Sequence, residues 1–166
     1  PYARDTYRYT PLLAILISPN ILLFPEFGKV IFALSDLIIG VLLYRRLRKK
    51  DRTTASQASN YVGIIWLLNP IIANISTRGS AESVLGVVVI GTLVLAEKRR
   101  WDLAAVAFGL AVHFKIYPII YGSSLLAAIS SSSQSKGWLG IKREHIRFGV
   151  ISFASFMSLN AIMYSM

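Results

Sequence analysis

The chain has no cysteine. Disulfides, thiolate nucleophiles and cysteine-based metal sites are therefore excluded within its 166 residues, and no redox compartment can be read from it. Acidic residues are scarce: 8 Asp and Glu face 18 Lys and Arg, a formal net charge of +10. Internal repeats are absent, and the one low-complexity stretch, Ser130 to Ser133 with Gln134 and Ser135, reads as a loop. There is no initiator methionine and no signal peptide, and the last apolar run reaches Met166 without a polar flank. The chain is accordingly expected to be an excerpt of a longer protein.

Apolar residues dominate what remains. They make up 54% of the chain, and the mean hydropathy is +0.55, too apolar for a water-soluble domain of this length. Strong basicity with 11% aromatic residues would suit a nucleic-acid binder, but that requires the cations on one groove or helix face. Here they stand in short clusters between apolar runs, the pattern of loops between membrane spans. The expected fold class is all-α, a polytopic transmembrane helical bundle. Its spans are expected at about 27–44, 60–75, 81–96, 103–114, 116–129 and 147–166, after a loop over 1–26. Several are short against the ~17–25 residues needed to cross hydrocarbon, which points to tilt, thinning or broken helices. Pro11 to Phe24 is apolar but interrupted by Pro19-Asn20, and reads as a re-entrant or interfacial helix pair.

Orientation follows from the cations. The stretches 45–52, 98–100 and 136–147 hold six, three and four of the Lys and Arg residues. Alternating spans put all three on one side, which the positive-inside rule makes cytoplasmic. The other five, Arg4, Arg8, Lys29, Arg78 and Lys115, then fall on the opposite face.

Chemistry is sought among these five, because charge at a membrane needs a partner or a task. Arg78 lies in a polar turn, Ser76-Thr77-Arg78-Gly79-Ser80-Ala81-Glu82-Ser83, with Gly79 free to adopt positive φ and Ser80 suited to cap the next helix. Either Arg78 pairs with Glu82, or it forms an anion site beside the helix N-terminus, where a guanidinium binds phosphate bidentately. The sequon Asn74-Ile75-Ser76 hugs the membrane and is expected to be unused. Lys115 sits in His113-Phe114-Lys115-Ile116-Tyr117-Pro118. On a continuous helix His113 and Tyr117 share a face and Lys115 does not; if the segment unwinds, all three can line one cavity. The alternative is a snorkelling lysine and a belt tyrosine. Arg4, Arg8, Tyr2, Tyr7 and Tyr9 crowd the N-terminal loop, suited to stack on sugars or to anchor at the interface. Asp36 stands inside the first span and should face the bundle interior, and Asn69-Pro70 should kink the second.

Together, the motifs YRYTPLLA (7–14), FGK (27–29), NP (69–70), STRGSAES (76–83) and HFKIYP (113–118) resemble the GPI mannosyltransferase I family. The similarity runs in order and spacing from Tyr2 to about Tyr121 and fades from Ser130 onward, where the chain fits by hydropathy only. STRGSAES and HFKIYP in one chain are the specific part of it.

The resemblance implies that residues 1–166 are part of a single glycosyltransferase domain of GT-C type in the endoplasmic reticulum membrane. It implies a donor, dolichyl-phosphate mannose, an acceptor, glucosaminyl-phosphatidylinositol, an α1,4-linked first mannose made by inversion on the lumenal side, and a membrane-anchored accessory subunit. No cofactor is implied. Family members carry an acidic Asp-x-Asp-type motif in a lumenal loop ahead of the segment matching Pro1; Asp5 is isolated and does not replace it, so the general base is expected upstream and the segment alone is expected to be inactive. Developing phosphate charge needs cations: Arg78 and Lys115 are the first choices, then His113 and Arg8, while Tyr117 and Glu82 would orient the donor phosphate region or acceptor hydroxyls. Another polyprenyl-phosphate-sugar transferase is the nearest alternative. A transporter would show inverted repeats, which are absent, and a scaffold leaves both specific motifs idle.

Overall fold

The computed structural model describes residues 10–49, 53–132 and 142–165. Expectations placed on Arg4, Arg8, Tyr2, Tyr7, Tyr9 and Asp5, and on Lys50, Arg52 and Lys136, lie outside the described residues. Among the described residues every regular element is helical: α1 (Pro11–Ile17), α2 (Pro19–Leu22), α3 (Phe27–Lys49), α4 (Ala55–Val62), α5 (Pro70–Thr77), α6 (Glu82–Glu97), α7 (Trp101–Phe114), α8 (Tyr121–Ser132) and α9 (Arg143–Tyr164), with a π turn at Gly63–Leu67 and a 3-10 turn at Tyr117–Ile120. Among the described residues two helices, α3 and α9, are long and apolar enough to cross a membrane, and the bent pair Ala55–Leu67 with Pro70–Thr77 makes a third if it is one span. The segments read as spans at 81–96, 103–114 and 116–129 form shorter helices of 16, 14 and 12 residues. The chain divides into two units, Leu13–Ile90 and Pro1–Leu12 with Gly91–Met166.

In the unit Leu13–Ile90, α3 is the axis. Its buried residues, Gly28, Phe32, Ser35, Asp36, Ile39 and Gly40, recur at helical spacing along one stripe. Val30, Leu34, Leu37, Ile38 and Val41 on the rest of the surface are exposed. A helix that is apolar all round suits lipid contact. The bend between α4 and α5 is 49° and has an identifiable cause. Pro70 opens α5, where its missing N–H is harmless. Asn69 serves both sides of the break: its side-chain oxygen accepts from the Ile71 N–H at 3.0 Å, and its amide nitrogen donates to the Ile65 carbonyl at 3.2 Å. At its other end α4 starts in a capping box between Thr54 and Gln57.

In the unit containing Gly91–Met166, α7 and α9 cross through small residues. A Cβ added to Gly109 would stand 2.5 Å from the Ser152 carbonyl oxygen and 2.9 Å from Ser155 Cβ. Only glycine permits that approach, the device by which helices associate in lipid. Ser155 Oγ donates to the Val106 carbonyl at 3.2 Å across the same contact. Ala96, Ala104, Ala105, Leu125, Ile129 and Phe148 form the core beside it. Arg147 pairs with Asp102 at 2.7 Å, with both side chains largely exposed, so the pair contributes little.

Two helices end in the same hydrogen-bond pattern. After α5, Ser80 N–H donates to the Ile75 carbonyl (3.1 Å) and Gly79 N–H to that of Ser76 (3.0 Å); after α6, Arg100 N–H donates to Leu95 and Arg99 N–H to Ala96, both at 3.0 Å. Each is a Schellman closure, which needs a left-handed residue at its centre. Gly79 supplies it at φ +87°, while Arg99 does so at φ +59° as a strained non-glycine.

Two predictions follow from this packing in the full-length protein. Gly109→Leu should destabilise the detergent-solubilised enzyme by more than the usual overpacking cost of about 1–3 kcal/mol, because a carbonyl rather than a flexible side chain must move; Gly91→Ala, in the interior of α6 where the added Cβ meets nothing within 4 Å, should leave the melting temperature the same or slightly higher. Gly79→Ala and Arg99→Gly should shift thermal stability in opposite directions, down and up, by about 1 kcal/mol each. Equal behaviour of the two members of either pair contradicts the geometry.

Candidate functional site

The motif STRGSAES is closed at its ends by its own hydroxyls. Ser76, in the last turn of α5, donates its Oγ–H to the Asp36 carboxylate, and Ser76 Oγ lies 2.7 Å from Ser83 Oγ. With the Ser76 proton committed to Asp36, the Ser83 hydroxyl is the donor to Ser76. All three side chains are buried: Ser76 is 3%, Ser83 5% and Asp36 9% exposed. Trp66 Nε1 donates to the Asp36 backbone carbonyl at 3.2 Å, tying the π turn to the same level of α3. The other carboxylate oxygen, Oδ1, is buried with no hydrogen-bond partner among the described residues.

Arg78 stands between these ends, beside Gly79, and is exposed. Among the described residues its guanidinium makes no ion pair or hydrogen bond, so the pairing with Glu82 considered from the sequence is not formed. Glu82 is partly buried in the first turn of α6, where a carboxylate suits the helix dipole. Ser80 does not cap α6 as the sequence suggested. The carbonyl one residue later, that of Ala81, accepts the Leu85 N–H at 3.2 Å, and Ser80 is engaged in closing α5. The hydroxyl of the sequon Asn74-Ile75-Ser76 is the buried one on Asp36.

The second motif unwinds. Helix α7 ends at Phe114, Lys115 is extended at φ −149°, ψ 144°, and the chain tightens into the 3-10 turn with Pro118 buried. The face shared by His113 and Tyr117 on a continuous helix therefore does not form. Lys115 is half-buried and Tyr117 exposed. His113 is held from two directions: its Nε2 is 3.1 Å from Thr10 Oγ1, and its ring meets Phe156 edge-on at 6.2 Å. Thr10 also receives the Leu12 N–H on its hydroxyl, capping α1. Beside this segment an apolar groove of ≈ 390 Å³ is lined by Phe108, Val112, Ile116, Ile119, Phe148 and Phe153, among others.

Arg78 and Glu82 thus belong to the unit Leu13–Ile90, and His113, Lys115 and Tyr117 to the other; Arg8 lies outside the described residues. Among the described residues no group of three or more His, Asp or Glu side chains gathers in a way that would hold a metal ion. Sequence reasoning missed the link between Asp36 and the STRGSAES motif. The signal was present: a carboxylate inside an apolar run demands a polar partner, and the motif begins and ends on serines.

The profile of one family, described as Mannosyltransferase (PIG-M), matches residues 75–166. GPI mannosyltransferase 1 of Gibberella zeae is 43% identical over 181 residues, covering 99% of this chain and 42% of its own length. GPI alpha-1,4-mannosyltransferase I, catalytic subunit, of Danio rerio is 43% identical over 168 residues, with the same two coverages. GPI mannosyltransferase 1 of Aspergillus fumigatus is 52% identical over 130 residues, 76% of this chain and 30% of its own. The chain spans about two fifths of the length of the first two relatives. Similarity does not fade after Ser130, as the motifs alone suggested, but continues to the last residue. No solved structure gives a significant match. With more than half its residues inside the profile, the chain belongs to the PIG-M mannosyltransferase family.

Proposed function

We propose that the full-length protein carrying this segment transfers the first mannose, in α1,4 linkage, from dolichyl-phosphate mannose to glucosaminyl-phosphatidylinositol in GPI-anchor biosynthesis. The observation that supports the reading is 43% identity over 99% of the chain to relatives named GPI mannosyltransferase 1 and GPI alpha-1,4-mannosyltransferase I, catalytic subunit. The reaction runs on the lumenal face of the endoplasmic reticulum membrane, in a helical bundle of GT-C type that works with a membrane-anchored accessory subunit. Helices α1 and α2 lie at, or re-enter from, the lumenal interface, and the basic end of α3, with Arg45, Arg46, Arg48 and Lys49, faces the cytosol.

A β-linked lipid phosphate donor and an α-linked product require inversion. In a single in-line displacement the acceptor oxygen bonds to the anomeric carbon as the bond to the phosphate oxygen breaks. Dolichyl phosphate leaves without needing a proton. The acceptor hydroxyl proton passes to a general base, which we place outside residues 1–166. The chain's own contribution is charge and position. The exposed guanidinium of Arg78 has the geometry to hold phosphate bidentately. Lys115 supplies a point charge at the unwound end of α7, next to the apolar groove, a surface suited to the isoprenoid tail. His113 and Arg8 rank behind these two, His113 because Thr10 and Phe156 already engage its ring. Tyr117 and Glu82 orient the donor phosphate region or acceptor hydroxyls.

The test is mannose transfer by membranes containing the full-length protein. Arg78→Ala and Lys115→Ala should each lower turnover about 10²–10³-fold, the usual loss of one group stabilising developing charge, at normal expression. Arg78→Lys should recover little if bidentate contact matters. Near-normal transfer by both alanine variants defeats the assignment, and transfer to a different lipid acceptor by the wild type defeats the reaction.

A further inference from the structure

We propose that Asp36 is a positioning residue for Arg78, acting from within α3 through the hydroxyls of Ser76 and Ser83. The inference rests on the reading of Arg78 as the donor-phosphate group and names what aims it. The observation is a continuous buried hydrogen-bond chain: the Asp36 carboxylate accepts from Ser76, and Ser76 and Ser83 are bonded to each other at 2.7 Å. These serines are the first and last residues of the motif that carries Arg78.

Three features make this more than a buried contact. First, the loop between the two serines is already closed on the backbone by the Schellman pattern, with Gly79 at φ +87°. Its internal shape is therefore set locally, and what it lacks is a fixed attachment to its surroundings. The Asp36 carboxylate supplies that attachment, and it does so at both ends of the loop, because Ser83 reaches it through Ser76. Second, the anchor is itself braced. Trp66 Nε1 holds the Asp36 carbonyl at 3.2 Å, so the π turn preceding the 49° bend and the loop following α5 are referred to the same point of α3. Third, the anchor sets depth. Asp36 lies nine residues before Arg45, about 13 Å at the helical rise. The loop is therefore level with the middle of α3 rather than with its Phe27 end, recessed along a helix apolar enough to cross a membrane. With Oδ1 buried and without a partner among the described residues, the bond from Ser76 to the other oxygen is one the carboxylate cannot lose cheaply, and a displacement of about 1 Å in a phosphate-binding group can reduce turnover about a hundredfold.

Asp36 touches neither donor nor acceptor in this account. Its removal should act only through Arg78, and that separates positioning from general support of the fold. The experiment is a double-mutant cycle in the full-length enzyme in membranes, reading kcat and KM for dolichyl-phosphate mannose and for the acceptor. Asp36→Ala should lower kcat about tenfold with the acceptor KM unchanged, whereas in an Arg78→Ala background the same substitution should change kcat by less than about twofold. Asp36→Asn retains an oxygen to accept from Ser76 and should recover most of the loss.

A full tenfold loss in the Arg78→Ala background, or a raised acceptor KM, overturns the proposal and leaves the role of Arg78 standing. Normal kinetics for Asp36→Ala overturn it in the same way. Near-normal transfer by Arg78→Ala removes the donor-phosphate reading itself, and the positioning role with it. If Asp36→Ala does not accumulate, Ser76→Ala enters the same cycle. It cuts the link while leaving the carboxylate in place, and the same outcomes decide.

Discussion

The unit Leu13–Ile90 depends on a carboxylate that has no reason to be where it is unless something polar meets it. Asp36 occupies the buried stripe of an otherwise apolar helix, where an unpaired polar group costs several kcal/mol. Three different elements answer it: the π turn through Trp66 on its backbone carbonyl, α5 through Ser76, and α6 through Ser83 by way of Ser76. The bent passage from α4 to α5, the loop and the start of α6 are thereby referred to one residue. Hydrophobic packing in lipid is non-directional and provides no register of this kind. A small polar cluster does, and this one holds both ends of the loop that carries the exposed Arg78.

In the unit containing α7 to α9 the ordering principle is steric instead. Gly109 lets α9 approach until the Ser152 carbonyl lies where a side chain would be. The unwound end of α7 then leaves Lys115 extended beside the 3-10 turn, while His113 is fixed by Thr10 and Phe156. A histidine held in this way is better suited to shaping its surroundings than to meeting a substrate first, and for that reason Lys115 ranks ahead of it.

Much of this was legible in the amino-acid sequence, for physical reasons that differ by element. The apolar run ending at Arg45 and Arg46 identifies α3, because length and the basic boundary are one-dimensional signals. Asn69-Pro70 signals the bend, because proline's missing N–H acts locally. The glycine in STRGSAES signals the turn, because positive φ is a property of a single residue. Less was legible where the answer depends on residues far apart in the chain. That Ser83, in the first turn of α6, would face Ser76, or that Ser80 would close α5 instead of opening α6, follows only once Asp36, some forty positions earlier, is in place. The extended state of Lys115 was one of two readings, and Pro118 alone does not choose between them. The family relationship was visible in the motifs; its extension beyond Ser130 was not, since that part of the chain holds apolar composition without a distinctive polar signature.

A structure of the full-length enzyme bound to a non-hydrolysable analogue of dolichyl-phosphate mannose is the most direct test. The analogue's phosphate should lie within hydrogen-bond distance of the Arg78 guanidinium, with Ser76 still seated on the Asp36 carboxylate. A phosphate held elsewhere, with Arg78 turned to lipid or solvent, would contradict that placement.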